Sequence, residues 1–298
     1  MMDQAQILRR LALERKSKNL ICEINETNKN KNIPNIITIA SGKGGVGKSN
    51  IVVNTAISLS QKGKRVMILD ADIGMSNIDI LLDIKIKDTI ISVINGLKKI
   101  DDIRVESKYG VSVISGGSAI NHIEDFTNTQ RERFIDAIES IRNIDYLIID
   151  TGAGLNKTLL SFISCCNEFI LITTPEPTSI TDAYSLLKAT SNQRIKSSAS
   201  IVINRASNIQ EVKNTFEKIK KVADKFLSIE LSLKGYLIED KRISYCVKKQ
   251  IPFVIEYPNS DISKCIYSIS DKVLNNKYLN ELYTEKSMIK KMFNIFKS

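Results

Sequence analysis

The chain has 298 residues, 43% of them hydrophobic, and a formal net charge of +10. That length suits one large α/β domain with appendages, and the ordinary apolar content predicts a packed core. No apolar run approaches the ~20 residues a membrane-spanning helix needs, and the charged start from Asp3 lacks the apolar centre of a secretory signal, so a cytosolic protein is expected.

The five cysteines, Cys22, Cys165, Cys166, Cys246 and Cys265, show no Cys-x-x-Cys spacing. They read as reduced thiols that hold no metal, with Cys165 and Cys166 in the core. His122 is the single histidine and reads as structural.

Residues 1–18 are strong helix formers with a stripe of Ile7, Leu8 and Leu11, and Asp3 stands where it can cap the start. An isolated helix of this length is marginal in water, so the stripe favours docking to a partner. Residues 19–34 are rich in Asn and Lys, end near Pro34, and read as a linker. A domain is expected over 35–284 and a separate tail over 285–298.

The domain opens with the apolar run Ile36–Ala40, then Ser41-Gly42-Lys43-Gly44-Gly45-Val46-Gly47-Lys48-Ser49-Asn50, then an amphipathic segment from Ile51 to Leu59. Strand, glycine loop and helix start form the setting of a phosphate loop. Gly42, Gly44, Gly45 and Gly47 let successive N–H groups turn around a phosphate chain. Lys48 can neutralise the β- and γ-phosphates, and the Ser49 hydroxyl can ligate Mg²⁺. The second lysine, Lys43, is redundant for the chain's own nucleotide. It suits a dimer in which each chain reaches its partner's nucleotide.

Arg65–Asp70 reads as a strand that delivers Asp70 and Asp72 beside the loop, two residues apart and therefore on one side of an extended chain. Carboxylates there can hold Mg²⁺ and position water. A helix and connection are expected over 89–104, a strand over Val111–Ile114, and a polar helix near Gln130–Arg142. Tyr146–Asp150 is an almost continuous apolar run closing on aspartate, the pattern of a strand buried on both faces. It makes Asp150 a second Mg²⁺ residue. In Thr151-Gly152-Ala153-Gly154, Gly152 and Gly154 allow a loop to approach the γ-phosphate.

Glu168–Thr173 reads as another buried strand, with Thr178 or Ser179 as candidate caps of the helix that follows. Ala199–Ile203 is a strand ending in Asn204-Arg205. A strand-end Asn can pair with adenine N6 and N7, or be an ordinary turn residue. An amphipathic Lys-rich helix over 209–227, a strand over Leu231–Ile238, a basic helix over Asp240–Gln250 and a last domain helix from about Asp261 complete the alternation. Strands alternating with helices imply a mainly parallel, doubly wound sheet with helices on both faces, three layers in all.

Residues 194–249 hold 13 basic and 6 acidic residues, a net of +7, and residues 286–298 hold four lysines and no acid. Such patches attract anionic lipid or nucleic acid, or are simply solvated. In the tail, Ile289, Met292, Phe293 and Phe296 share one helical stripe with Met288 and Ile295 at its margins. Two readings stand: an interfacial amphipathic helix, or a terminal helix packed on the domain.

Lys-Gly-Gly-Val-Gly-Lys-Ser at 43–49 resembles the deviant Walker A signature of the MinD/ParA family of ATPases. The resemblance covers about residues 35–275 and implies the P-loop NTPase fold, with ATP and Mg²⁺ as cofactors. It further implies that Asp72 polarises the attacking water, that Asp70 binds Mg²⁺ through water, that Asp150 is the Walker B residue, that Lys43 acts across an ATP-bound homodimer, and that Asn204, with Arg205, lies at the base. Asp3-Gln4-Ala5-Gln6-Ile7-Leu8-Arg9 matches the leading motif of the FlhG (FleN/YlxH) branch, and Lys48-Ser49-Asn50 is similar to it. That branch implies control of flagellar number and placement. Asp3, Gln4, Ala5, Leu8 and Arg9 would dock on an FlhF-type, signal-recognition-like GTPase. The protein would sit peripherally on the anionic inner face of the cell membrane, with flagellar basal-body proteins as further partners and DNA not among them. Other readings are a MinD-type division-site ATPase, a ParA-type DNA-partition ATPase, and a nucleotide-gated scaffold with little turnover.

Overall fold

A computed structural model describes residues 34–72, 77–275, 292, 293 and 295. The expected docking helix and linker, residues 73–76 and most of the tail lie outside the described residues.

Eight strands are described: β1 (Asn35–Ser41), β2 (Val66–Ala71), β3 (Val105–Glu106), β4 (Val111–Ser115), β5 (Tyr146–Ala153), β6 (Glu168–Thr173), β7 (Ser198–Ala206) and β8 (Glu230–Ile238). They form one sheet in the order β3-β4-β2-β5-β1-β6-β7-β8. Every pairing is parallel except β3 with β4 at one edge. The described α-helices are α1 (Lys48–Gln61), α2 (Ile78–Leu82), α3 (Ile90–Ile94), α4 (Asn128–Ser140), α5 (Lys157–Cys165), α6 (Pro177–Asn192), α7 (Ile209–Phe226), α8 (Lys241–Lys249), α9 (Phe253–Glu256) and α10 (Asp261–Leu274). The three-layer doubly wound reading holds.

The sheet separates two cores. Helices α3–α7 cover one face, and α1, α2 and α8–α10 cover the other. Strands β1, β2, β4 and β6 are buried almost throughout, as their uniform apolar runs require when helices lie on both sides. Helix α1 departs from the amphipathic expectation: every residue from Ile51 to Leu59 is buried. It lies between the sheet and a second helical shell, α9 and α10, and its polar positions are used inward. Asn54 Oδ1 accepts from the Val254 N–H at 3.0 Å, so a polar residue ties the two helical shells together.

Two other expectations change. Thr178 and Ser179 do not cap α6, because the helix begins at Pro177, a residue whose missing N–H costs nothing at a first helical position. Ser179 Oγ instead accepts from the Thr174 N–H at 3.1 Å and closes the strand-to-helix turn. The basic stretch 194–249 does not make one surface. Its lysine-rich helix α7 packs on one face of the sheet and α8 on the other.

Of the tail, Met292 and Phe293 are buried in the α3–α7 core. The Phe293 ring meets Phe134 of α4 edge-on at 6.1 Å, and the Arg131 guanidinium lies 5.6 Å from its centre.

Candidate nucleotide site

The site forms at the carboxyl ends of β1, β2 and β5, where parallel register aligns three chain segments. Ile39 and Asp70 both stand opposite Asp150 on neighbouring strands. Helix α1 starts directly from the loop, with Gly47 as its cap at φ 91°. A residue with a Cβ rarely adopts that conformation. No side chain caps α1 and its first turn holds no acid, so its leading N–H groups are left for an anion.

Lys48 is buried and its ammonium lies 2.6 Å from Asp150 Oδ1 and 3.6 Å from Asp72 Oδ2. Asp150 is fully buried, yet its Oδ2 has no hydrogen-bond partner. Burial pushes the Asp150 carboxyl above its ordinary value, the Lys48 ammonium and then the Ser49 hydroxyl pull it back, and the Asp72 carboxylate adds to the rise. Asp70, also buried, accepts from the Asp72 N–H at 3.2 Å. Sequence reasoning therefore brought Lys48, Asp70, Asp72 and Asp150 to one place. A divalent cation fits this donor set: an orphaned buried carboxylate oxygen, a second carboxylate on the adjacent strand, and the Ser49 hydroxyl at the second position of α1.

Gly42 packs on α6 so closely that a Cβ would lie 2.3 Å from the Asp182 carbonyl carbon. Gly44 and Gly45 have open space or ordinary contact where a Cβ would be. Gly152 is inside β5 rather than in a loop: Thr151 Oγ1 donates to the Ile39 carbonyl, and the following Gly154 N–H donates to Ser41, both at 3.0 Å. The expected loop thus begins only after Ala153. Asn50 occupies the first turn of α1, where its carbonyl accepts from Asn54.

Lys43 does not point at Lys48's partners. Its ammonium lies 2.7 Å from Glu176 Oε2 and 2.9 Å from Thr178 Oγ1, at the start of α6. The Lys43 side chain holds the Glu176 carboxyl below its ordinary value. Asn204 is buried, and its Nδ2 donates to the Val46 carbonyl at 2.7 Å. Its neighbour Arg205 is exposed at φ 56°. The contacts of Glu176, Thr178 and the Val46 carbonyl were not foreseen. The Pro175-Glu176-Pro177 turn after β6 was a visible signal for the first two.

A glycine loop feeding α1, with two carboxylates on adjacent strand ends, defines a P-loop nucleotide hydrolase. A family described as "ParA: NUBPL iron-transfer P-loop NTPase" matches residues 32–274. Antiactivator FleN of Pseudomonas aeruginosa is 35% identical over 239 residues, 80% of this chain and 85% of that protein. Flagellum site-determining protein YlxH of Helicobacter pylori is 31% identical over 266 residues, 89% of this chain and 90% of that one. The structure of the septum site-determining protein MinD of Pyrococcus horikoshii with Mg-ADP superposes with a TM-score of 0.66 at 22% identity, covering 84% of this chain and all of that one. The chain belongs to the MinD/ParA family of P-loop ATPases, in its FlhG-type (FleN/YlxH) branch. The iron transfer in the family description is said of the proteins it describes.

Proposed function

We propose that this ATPase dimerises with ATP, attaches to the membrane as a dimer, and controls flagellar number and placement by stimulating an FlhF-type GTPase through its N-terminal helix. The observation that carries this reading is the pair of lysines in one loop. Lys48 is buried among the carboxylates, whereas Lys43 is held outward on α6. A lysine so placed is paired with Glu176 and Thr178 rather than with its own site's carboxylates, and once released from that exposed pair it can serve another chain's nucleotide. The name of one relative, the flagellum site-determining protein YlxH, supports the biological role.

On nucleotide binding, Lys48 leaves Asp150 for the β- and γ-phosphates, and the α1 N–H groups hold the same phosphates. Asp150, Ser49 and Asp70 would hold Mg²⁺, which would supply charge neutralisation between the phosphates. Asp72 orients the attacking water, and Lys43 of the second protomer completes the site.

Membrane attachment requires Met292 and Phe293 to leave the core in which they are buried, so both tail readings describe states of one segment. A buried apolar side chain contributes roughly 1.5–3 kcal/mol and a lysine near anionic lipid about 1. Ordering the helix takes back much of that. One tail therefore binds weakly, and two on one dimer gain effective concentration. Co-sedimentation with anionic vesicles should require both ATP and residues 286–298. Equal sedimentation with ADP would overturn the membrane reading. A deletion strain with altered flagellar number or position supports the flagellar role, while misplaced septa would assign the chain to cell division instead.

A further inference from the structure

The amide of Asn204 is fixed at both ends. Its Nδ2 donates to the Val46 carbonyl at 2.7 Å and its Oδ1 accepts from the Arg205 N–H at 2.9 Å. Both Asn204 and Val46 are buried. Arg205 holds a positive φ of 56° within a break in the β7–β8 register, so the end of β7 is shaped to turn this amide toward the loop. The contact is close: a Cβ on Gly47 would lie 2.4 Å from Asn204 Nδ2.

The Val46 carbonyl and the Gly47 N–H belong to one peptide plane, and in a trans peptide they point in opposite directions. Holding the carbonyl outward therefore aims the Gly47 N–H inward, toward the cradle that precedes Lys48. Gly47 is the residue most able to let this peptide flip, because its φ of 91° lies in a region that glycine shares with its mirror image. A flipped peptide would turn a carbonyl dipole on the phosphates and lose an N–H donor. We infer that Asn204 is a positioning residue of the phosphate loop: it locks the Val46–Gly47 peptide in the orientation that binds phosphate. This deepens the nucleotide-site reading and rests on it. It does not compete with a base contact, since the amide keeps one N–H and one lone pair unused by these two bonds. Asparagine is required over aspartate, whose oxygen would face the Val46 carbonyl without a proton between them.

Inorganic tripolyphosphate has the phosphate chain of ATP and no base, so it separates the two roles. Titration calorimetry with MgATP, MgADP and magnesium tripolyphosphate should be run on the full chain, on Asn204→Ala and on Asn204→Asp, with thermal melts by circular dichroism alongside. Asn204→Ala should weaken all three ligands by a similar factor, roughly tenfold, and Asn204→Asp by at least as much. Loss of MgATP and MgADP affinity with tripolyphosphate unchanged would make Asn204 a base contact only and overturn the inference. So would a loss confined to Asn204→Asp, which is a charge effect. If the unaltered protein binds none of the three, the nucleotide-site reading itself fails, and this inference with it.

Discussion

The Lys43 ammonium lies 2.7 Å from the Glu176 carboxylate of its own chain, while Lys48, five residues on, is paired with Asp150. The two pairs differ in setting. Lys48–Asp150 is buried, whereas the side chains of Lys43 and Glu176 are 38% and 57% exposed. An exposed pair is weakly held and screened by salt. In the proposed dimer it can therefore hold Lys43 aside within a protomer and still release it to a partner's phosphates. Removing the carboxylate should favour the dimer. Glu176→Gln is expected to lower the protein concentration needed for ATP-dependent dimerisation a few-fold at low salt, measured by sedimentation velocity. The advantage should shrink as ionic strength rises. A variant that dimerises no more readily than the unaltered chain would show that this pair does not restrain Lys43.

Gly42 couples the same loop to α6. The Cβ of an alanine there would meet the Asp182 carbonyl carbon at 2.3 Å and its oxygen at 2.4 Å, both backbone atoms with no rotamer to yield. Overpacking of this kind costs typically 1–3 kcal/mol. Gly42→Ala should lower the melting temperature and weaken ATP binding together, because the loop and the helix must separate. Gly45→Ala is the comparison: nothing lies within 4 Å of its Cβ, and only the positive φ of 74° opposes it.

Asp72 lies beside Lys48 with a quarter of its side chain exposed, at the edge of the buried cluster. That is the position of a group that meets water, unlike the enclosed Asp150. Asp72→Ala should leave MgATP binding and dimerisation intact while turnover falls by roughly 10²–10⁴-fold, the usual range for loss of a proton-handling group. Phosphate release measured at saturating ATP checks this, and normal turnover would remove Asp72 from the hydrolytic role.

The sheet and the phosphate loop were legible because their signals are local. Buried parallel strands read as apolar runs, and Gly42–Ser49 encodes backbone shape directly. The Glu168–Lys234 ion pair, 2.6 Å long and almost wholly buried, was not legible. It joins β6 to β8 across β7, and nothing near either residue in the chain announces the other. The Asn204 contact is of the same kind, spanning 158 positions. Charge counted along the chain misled over 194–249, since consecutive helices fall on opposite faces of the sheet. The end of the chain was ambiguous for a different reason. One apolar stripe suits a lipid surface and a protein core equally, and Phe293 needs Phe134 and Arg131 before the choice is visible.

Asp145 fastens the entry of β5 to that of β2. Its Oδ2 accepts from the Arg65 N–H at 2.8 Å, and its Oδ1 from the Arg65 guanidinium at 2.7 Å. The hydrogen bond from the Arg65 side chain holds the Asp145 carboxyl below its ordinary value of 3.8, against a smaller opposing effect of burial. The folded value is the depressed one. This contribution to stability is therefore fully present above pH ~4 and fades as pH falls through the folded value. Asp145→Asn should lower stability by about 1 kcal/mol at neutral pH. Its denaturation midpoint should converge with that of the unaltered protein in more acidic solution. Chemical denaturation at a series of pH values would show this, and a pH-independent difference would mean that packing rather than charge is responsible.

Arg131 offers a way to loosen the tail without touching the core. Its guanidinium stands 5.6 Å from the Phe293 ring, and it donates to the Glu124 carbonyl at 2.8 Å. Phe134, by contrast, is almost fully buried, so truncating it would destabilise the whole domain. A cation over an aromatic face contributes roughly 0.5–1 kcal/mol at a partly exposed site. Losing it should raise the released population of the tail about two- to fivefold. Arg131→Ala is therefore expected to increase co-sedimentation with anionic vesicles in the presence of ADP, while its melting temperature changes little. The double variant that also lacks residues 286–298 should not sediment, because the gain depends on the tail and not on the altered helix. If Arg131→Ala with ADP sediments no more than the unaltered chain, burial of Phe293 does not govern membrane attachment, and dimerisation alone would have to account for any effect of ATP.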